Sequence, residues 1–186
     1  RAVFSSVPAF PLPPIAVEAG YRVLGFDAIG STNAEAMQAA MRGDSGKLWY
    51  AALQQTEGRG RRGRAWENPY GNLAASLMIV PDADVSVLGS LGFVAGVALN
   101  IALDRILPRA SFHTGLDGAD AAPGQAAKRI ALKWPNDVLA EGRKLAGILL
   151  EAQKRPDGRT AIVIGFGVNV VAAPEGLPYP AASLRQ

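Results

Sequence analysis

The chain of 186 residues contains no cysteine and one histidine, His113. A disulfide framework, a thiolate nucleophile and a thiolate metal site are therefore excluded, and a single imidazole cannot build a histidine metal centre. Chemistry has to come from Lys, Arg, Asp, Asn and hydroxyl groups. No run approaches the roughly 20 apolar residues of a membrane span, and proline interrupts the opening RAVFSSVPAFPLPP too often for a signal-peptide core. A cytoplasmic protein without a membrane partner is expected. With 49% hydrophobic residues, the chain can bury one domain and is too short for two comfortable ones.

The charge is concentrated in one place. Lys and Arg number 19 against 16 acids, but without Arg59, Arg61, Arg62 and Arg64 the balance is 15 against 16. These four lie in EGRGRRGRAWENPYGN, Glu57 to Asn72, among Gly58, Gly60 and Gly63. A nucleic-acid coat spreads its charge over a face or helix, whereas one cationic loop suits one compact anion. Guanidinium forks bind phosphate or carboxylate oxygens in pairs, and glycines let backbone N–H groups come close.

Along the chain, residues 1–20 read as a Pro-rich, extended N-terminal arm and residues 21–186 as the domain. YRVLGF predicts a strand. STNAEAMQAAMRG predicts a helix with Thr32 as N-cap, Glu35 completing a capping box and Gly43 as the stop. LWYAALQQ, Leu48 to Gln55, and NLAASLMIV predict two more strands, and VSVLGSLGFVAGVALNIALDRIL a core helix. Pro108 to Lys128 is small and polar, the pattern of a surface loop with His113 solvated. RIALKWPNDVLA, RKLAGILLEAQK and TAIVIGFGVNV, separated by turn-forming residues, predict an antiparallel meander. The fold expected is α+β, a mixed and mostly antiparallel sheet with helices packed on one face.

GRGRRG satisfies the G-x-G-x-x-G pattern of dinucleotide sites, but that pattern needs a helix to open at the third glycine. Here Pro69 and Gly71 follow too soon. The phosphate-loop pattern G-x-x-x-x-G-K-[ST] is absent. An arginine arm on nucleic-acid phosphates is the rival reading, with binding that weakens steeply in salt. Trp66 is either core or a platform for a purine.

GRGRRGRAW resembles the hallmark of the biotin protein ligases, and other blocks of that family follow in order. They are STN at Ser31 to Asn33, QQ before the loop, KWPND at Lys133 to Asp137, RKLAGILLE at Arg143 to Glu151 and GFGVNV at Gly165 to Val170. The resemblance implies the ligase catalytic domain, related to class II aminoacyl-tRNA synthetases. It also implies a two-step reaction with ATP and Mg²⁺: biotin becomes biotinyl-5′-AMP, and the biotinyl group then passes to a lysine of the biotin carboxyl carrier protein of acetyl-CoA carboxylase. DNA is not an expected partner, since no helix-turn-helix precedes Tyr21. No small β-barrel-like domain is expected after Ser183, and monomer and homodimer are both left open.

By the same resemblance, Ser31, Thr32, Asn33 and Gln54 would contact or order the biotin ureido ring. Arg59, Gly60 and Arg61 would bind the carboxylate and phosphate of the intermediate, Arg62 and Arg64 the ATP phosphates, and Trp66 the adenine. Lys144 would reach both carboxylate and α-phosphate as the principal electrophilic residue. Lys133 and Asn136 would line the nucleotide site, and Asp137 would either hold Mg²⁺ or deprotonate the incoming lysine. Gly147 would let the bicyclic ring lie against backbone, and Asn169 would approach the nucleotide. The nearest enzymatic rival, octanoyl transfer on the same fold, relies on a cysteine that is missing here.

Overall fold

The structure, a computed structural model, describes residues 10–106, 111–113 and 129–185. A short helix α1 (Pro14–Glu18) precedes β1 (Arg22–Ile29), α2 (Thr32–Met41), β2 (Leu48–Gln55) and β3 (Leu73–Ile79). Then come α3 (Val85–Leu88), α4 (Leu91–Ile106), β4 (Ser111–His113), β5 (Arg129–Lys133), β6 (Asp137–Ala140), β7 (Arg143–Lys154) and β8 (Thr160–Val168). The eight strands form one sheet in the order β1-β2-β3-β8-β7-β6-β5-β4. β1 with β2 and β4 with β5 are parallel, and every other pair is antiparallel. The mixed, mostly antiparallel sheet and the β5-to-β8 meander are as expected.

The helices, however, are divided between the two faces. α2 lays Ala36, Ala39 and Ala40 on Leu48, Tyr50, Met78, Ala161 and Val163. α3 and α4 lay Leu88 and Ala95 on Ile148, Ile162 and Ile164. Consecutive residues of β8 thus alternate between two buried layers, because successive side chains point to opposite sides of a strand. The run AIVI was already the signature of a strand covered on both faces.

Three local expectations are revised. Ser31, not Thr32, is the N-cap of α2, its hydroxyl accepting from Ala34 N–H at 3.4 Å; Thr32 is held elsewhere, by Gln55 and Ser76. Gly43 does follow the helix, at φ 90°. The stretch from Pro14 to Glu18 is helical rather than extended, with proline in the first turn; residues 1–9 lie outside the described residues. The expected surface loop contains the short strand β4, and the rest of it also lies outside the described residues.

The predicted core helix is two helices broken at Gly89 and Ser90, and only one side of it is core. Ala95, Gly96 and Leu103 are buried, whereas Val94, Val97 and Ile101 are about half exposed. Contrary to the sequence expectation, Ser86–Ile106 is long and apolar enough to cross a membrane by length and composition. Its buried side packs on β5, β6 and β7.

On the far end of the sheet, the β7–β8 turn is tied to the loop after α2. The buried Arg155 donates through Nε and Nη2 to Asp157 at 3.2 and 2.9 Å, and through Nη1 to the Asp44 carbonyl. Hydrogen bonds from Arg155 and Arg159 hold the Asp157 carboxyl well below the usual carboxylate range.

Candidate active site

A cavity of about 450 Å³ opens on the α2 face of the sheet. Its first wall is the start of α2. Thr32 N–H and Thr32 Oγ1 both donate to Gln55 Oε1, at 2.8 and 2.9 Å, so the glutamine satisfies an amide that the helix start leaves without a partner. Behind them Ser76 Oγ lies 2.7 Å from Thr32 Oγ1 and donates to Asn33 Oδ1 at 2.5 Å. Asn33 Nδ2 in turn donates to Glu151 Oε2 at 2.7 Å. Ser31, Thr32 and Asn33 are all buried, as is Ser76.

The second wall is the arginine loop. Gly60 N–H donates to Arg64 O at 2.7 Å and Trp66 N–H to Gly58 O at 2.9 Å, while Arg59 bridges Ala65. The loop is therefore a tight hairpin-like ribbon with one turn of 3₁₀ helix over Arg61–Gly63. A Cβ at Gly58 would stand 2.4 Å from the Trp66 carbonyl, so that position requires glycine. Arg62 sits at φ 57°, and its side chain with those of Arg59, Arg61 and Arg64 lines the cavity. Arg61 also donates to Asn136 Oδ1 at 3.2 Å, joining the loop to the β5–β6 turn.

The floor is made of glycine backbone and the Trp66 ring. Gly147 on β7 pairs with Gly167 on β8, and Gly165 lies two residues along. Cβ atoms there would meet Trp66 at 3.2 Å from Gly147 and 2.4 Å from Gly167, and Asn33 Oδ1 at 2.2 Å from Gly165. Missing side chains make room for an indole and an amide to lie flat on the sheet. Trp66 Nε1 is buried with no hydrogen-bond partner among the described residues.

Lys144 stands over this floor. Its Nζ is 2.9 Å from Asp137 Oδ1, and 5.4 and 5.3 Å from the ring centres of Trp66 and Tyr179. The aspartate oxygen forms no well-directed hydrogen bond among the described residues, and its contact with Lys144 is mainly Coulombic. The C-terminal segment fixes the lysine's backbone: Lys144 N–H donates to Pro180 O and Ala182 N–H to Lys144 O, both at 2.9 Å.

Of the residues singled out from the sequence, fourteen line the cavity: Ser31, Thr32 and Asn33; Arg59 to Arg62 with Arg64 and Trp66; Lys133, Asn136 and Asp137; Lys144 and Gly147. Two do not.

 

Gln55, noted in the sequence only as half of the QQ block, lines the cavity in the place assigned to Gln54, which does not. Two adjacent glutamines are alike in type, and only the position of the second against Thr32 separates them. Asn169 is the other correction. It is 1% exposed, and its Nδ2 donates to Lys144 O at 3.4 Å and Ala182 O at 3.1 Å. It staples the C-terminal segment beneath Lys144 instead of facing a nucleotide. Ser76, Glu151, Gly165 and Gly167 were missed; the glycine pair two residues apart in GFGV was the available signal for the floor.

The sequence model of the biotin/lipoate A/B protein ligase family matches residues 31–169, which include the cavity lining apart from Tyr179 and Pro180. The chain belongs to that family. Among curated members, it is 45% identical over 154 residues to the biotin–[acetyl-CoA-carboxylase] ligase of Paracoccus denitrificans, covering 82% of this chain and 57% of the relative. It is 37% identical over 174 residues to the enzyme of that name from Mycobacterium tuberculosis, covering 91% and 58%. The chain thus spans less than two thirds of the length of these relatives. Among solved family structures, the biotin protein ligase of Leishmania major with biotinyl-5-AMP superposes at a TM-score of 0.64 with 28% identity, covering 85% of this chain and 61% of the other. The Aquifex aeolicus ligase with biotin and ATP gives 0.65 and 27%, covering 88% and 59%.

Proposed function

We propose that this chain is the catalytic domain of a biotin protein ligase. Biotin's carboxylate attacks the α-phosphate of ATP, forming the acyl–phosphate bond of biotinyl-5′-AMP as pyrophosphate leaves. A lysine amine of a biotin carboxyl carrier domain of acetyl-CoA carboxylase then attacks the acyl carbon, forming an amide as AMP leaves.

The observation that carries this reading is the lining of one cavity: a hydrogen-bonding wall at Thr32 and Gln55, and six cations (Arg59, Arg61, Arg62, Arg64, Lys133 and Lys144) against one carboxylate, Asp137. The first wall suits a compact polar ring, and the excess of cations suits a carboxylate beside a chain of phosphates. A carboxylate nucleophile is already ionised at neutral pH, so no base is needed for the first step. What the protein must supply is position and stabilisation of the charge developing at the α-phosphate. Lys144 is the residue for that, with its backbone pinned by the C-terminal segment and its side chain held between Asp137 and two aromatic rings. Arg59 and Arg61 would hold the carboxylate and α-phosphate, Arg62 and Arg64 the outer phosphates, and Trp66 the adenine.

Among the described residues, no group of three or more His, Cys, Asp or Glu gathers to cage a metal. One carboxylate together with phosphate oxygens nevertheless fits Mg²⁺, which keeps several waters. Bound there, the ion supplies neutralisation of phosphate charge, and Asp137 is the residue that would hold it or accept the proton of the incoming lysine. The test of the reading is exchange of labelled pyrophosphate into ATP. Exchange that needs biotin and is not supported by lipoate is expected; exchange indifferent to the acid would refute it.

A further inference from the structure

The wall that faces the ureido ring in the function proposed above has a fixed direction of hydrogen bonding, and its origin lies outside the cavity lining. Glu151 sits on β7 and Ser76 on β3, and neither lines the cavity. The chain of hydrogen-bonded groups runs from Gln55 through Thr32, Ser76 and Asn33 to Glu151. We infer that Glu151 is a positioning residue for biotin: it sets the orientation of the Asn33 amide, and through Asn33 and Ser76 it leaves Thr32 as an acceptor toward the cavity.

An ionised carboxylate only accepts, so Asn33 must turn its NH₂ toward Glu151 and its carbonyl oxygen toward Ser76. Ser76 has one proton, and Asn33 Oδ1 at 2.5 Å takes it. Thr32 then has only acceptors beside it, Ser76 Oγ and Gln55 Oε1, so its own proton stays within the wall. An oxygen lone pair is left for an N–H of the ligand, and a ureido ring offers two such N–H groups. The site is built closely enough to allow no other arrangement: Asn33 is 4% exposed, Ser76 0%, and only the glycine at 165 gives Asn33 Oδ1 its place on the sheet.

Without Glu151 the Asn33 amide is free to turn over, presenting NH₂ to Ser76. The serine proton then turns to Thr32 and competes for the lone pair that faces the ligand. The effect belongs to biotin binding, since the cationic loop and Lys144 are untouched.

The experiment compares the wild-type chain with Glu151→Ala and Glu151→Gln by calorimetric titration with biotin, thermal unfolding, and the KM values and kcat of biotin-dependent pyrophosphate exchange. Glu151→Ala should weaken biotin about tenfold and raise its KM to match, with the KM for ATP and the kcat at saturating biotin within about twofold, as expected for losing one charge-assisted contact. Glu151→Gln can still offer a carbonyl oxygen to Asn33, so it should recover biotin affinity to within about threefold of wild type. Unchanged biotin affinity in Glu151→Ala, or equal losses in both KM values, kcat and melting temperature, would overturn the positioning role and leave the function proposed above standing. If the wild-type chain itself took up no biotin, both would fall together.

Discussion

Replacing Gly167 by Ala adds one methyl group to the floor of the cavity, and its consequence can be worked from the structure. The new Cβ would lie 2.4, 2.5 and 2.7 Å from Trp66 Cε2, Nε1 and Cζ2. Ordinary carbon contacts are about 3.5 to 4.0 Å, so the indole has to move by about 1 Å or the strand has to bend. The strand is held by β3 and β7 on either side, and Trp66 belongs to the loop. Its Nε1 has no hydrogen bond to give up among the described residues. The indole therefore lifts, at a stability cost at the low end of the roughly 1–3 kcal/mol of overpacking. Lost stacking costs about 1–3 kcal/mol per base, which is about 5- to 150-fold in affinity. The KM for ATP in biotin-dependent pyrophosphate exchange should rise by at least about fivefold, with the melting temperature lowered by only a few degrees. Gly147→Ala, whose Cβ would meet the same ring at 3.2 Å, should have a smaller effect in the same direction. A Gly167→Ala enzyme with the wild-type KM for ATP would refute the assignment of Trp66 as the adenine platform.

Three further outcomes follow from the same geometry. Gln55→Ala removes both contacts to Thr32 and should raise the KM for biotin about tenfold, whereas Gln54→Ala should leave it within about twofold; steady-state kinetics of the pair decides between the two glutamines. Arg61→Ala breaks the link to Asn136 and removes one cation from the loop, so biotinyl-5′-AMP should dissociate at least about tenfold faster in a filter-retention assay, with biotin binding changed less. Arg155→Ala leaves Asp157 without its buried partner and should lower stability at neutral pH by about 2 kcal/mol in denaturant titration. Because Asp157 is held below its ordinary range in the folded protein, its contribution is present above pH about 4 and is lost as the pH falls further; the gap between variant and wild type should narrow over that range, leaving the part due to the contact of Arg155 with the Asp44 carbonyl.

Much of the site was legible because its residues sit in short contiguous blocks. The strand Leu48–Gln55 was read with its observed bounds, since apolar patterning ends at the glycine-rich loop. Fourteen cavity residues were named from blocks that β5 to β8, α2 and the loop bring together. What escaped the sequence depended on contacts between distant segments. SerThrAsn offers three good caps in a row, and the choice of Ser31 follows from Gln55 and Ser76 engaging the Thr32 hydroxyl. Glu151 reads as an ordinary strand residue until Asn33, 118 positions earlier, meets it. The apolar run Val85–Leu107 reads as one core helix, yet among the described residues Gly89 and Ser90 break it and only one side meets the sheet.

The most direct measurement of the central claim is a rapid-quench record of pyrophosphate released from MgATP, with biotin present and carrier protein omitted. A burst of about one pyrophosphate per site that depends on biotin, with biotinyl-5′-AMP recovered on the protein and the burst abolished by Lys144→Ala, is the result this account predicts. Pyrophosphate release that is independent of biotin, or a burst of normal size in Lys144→Ala, would contradict it.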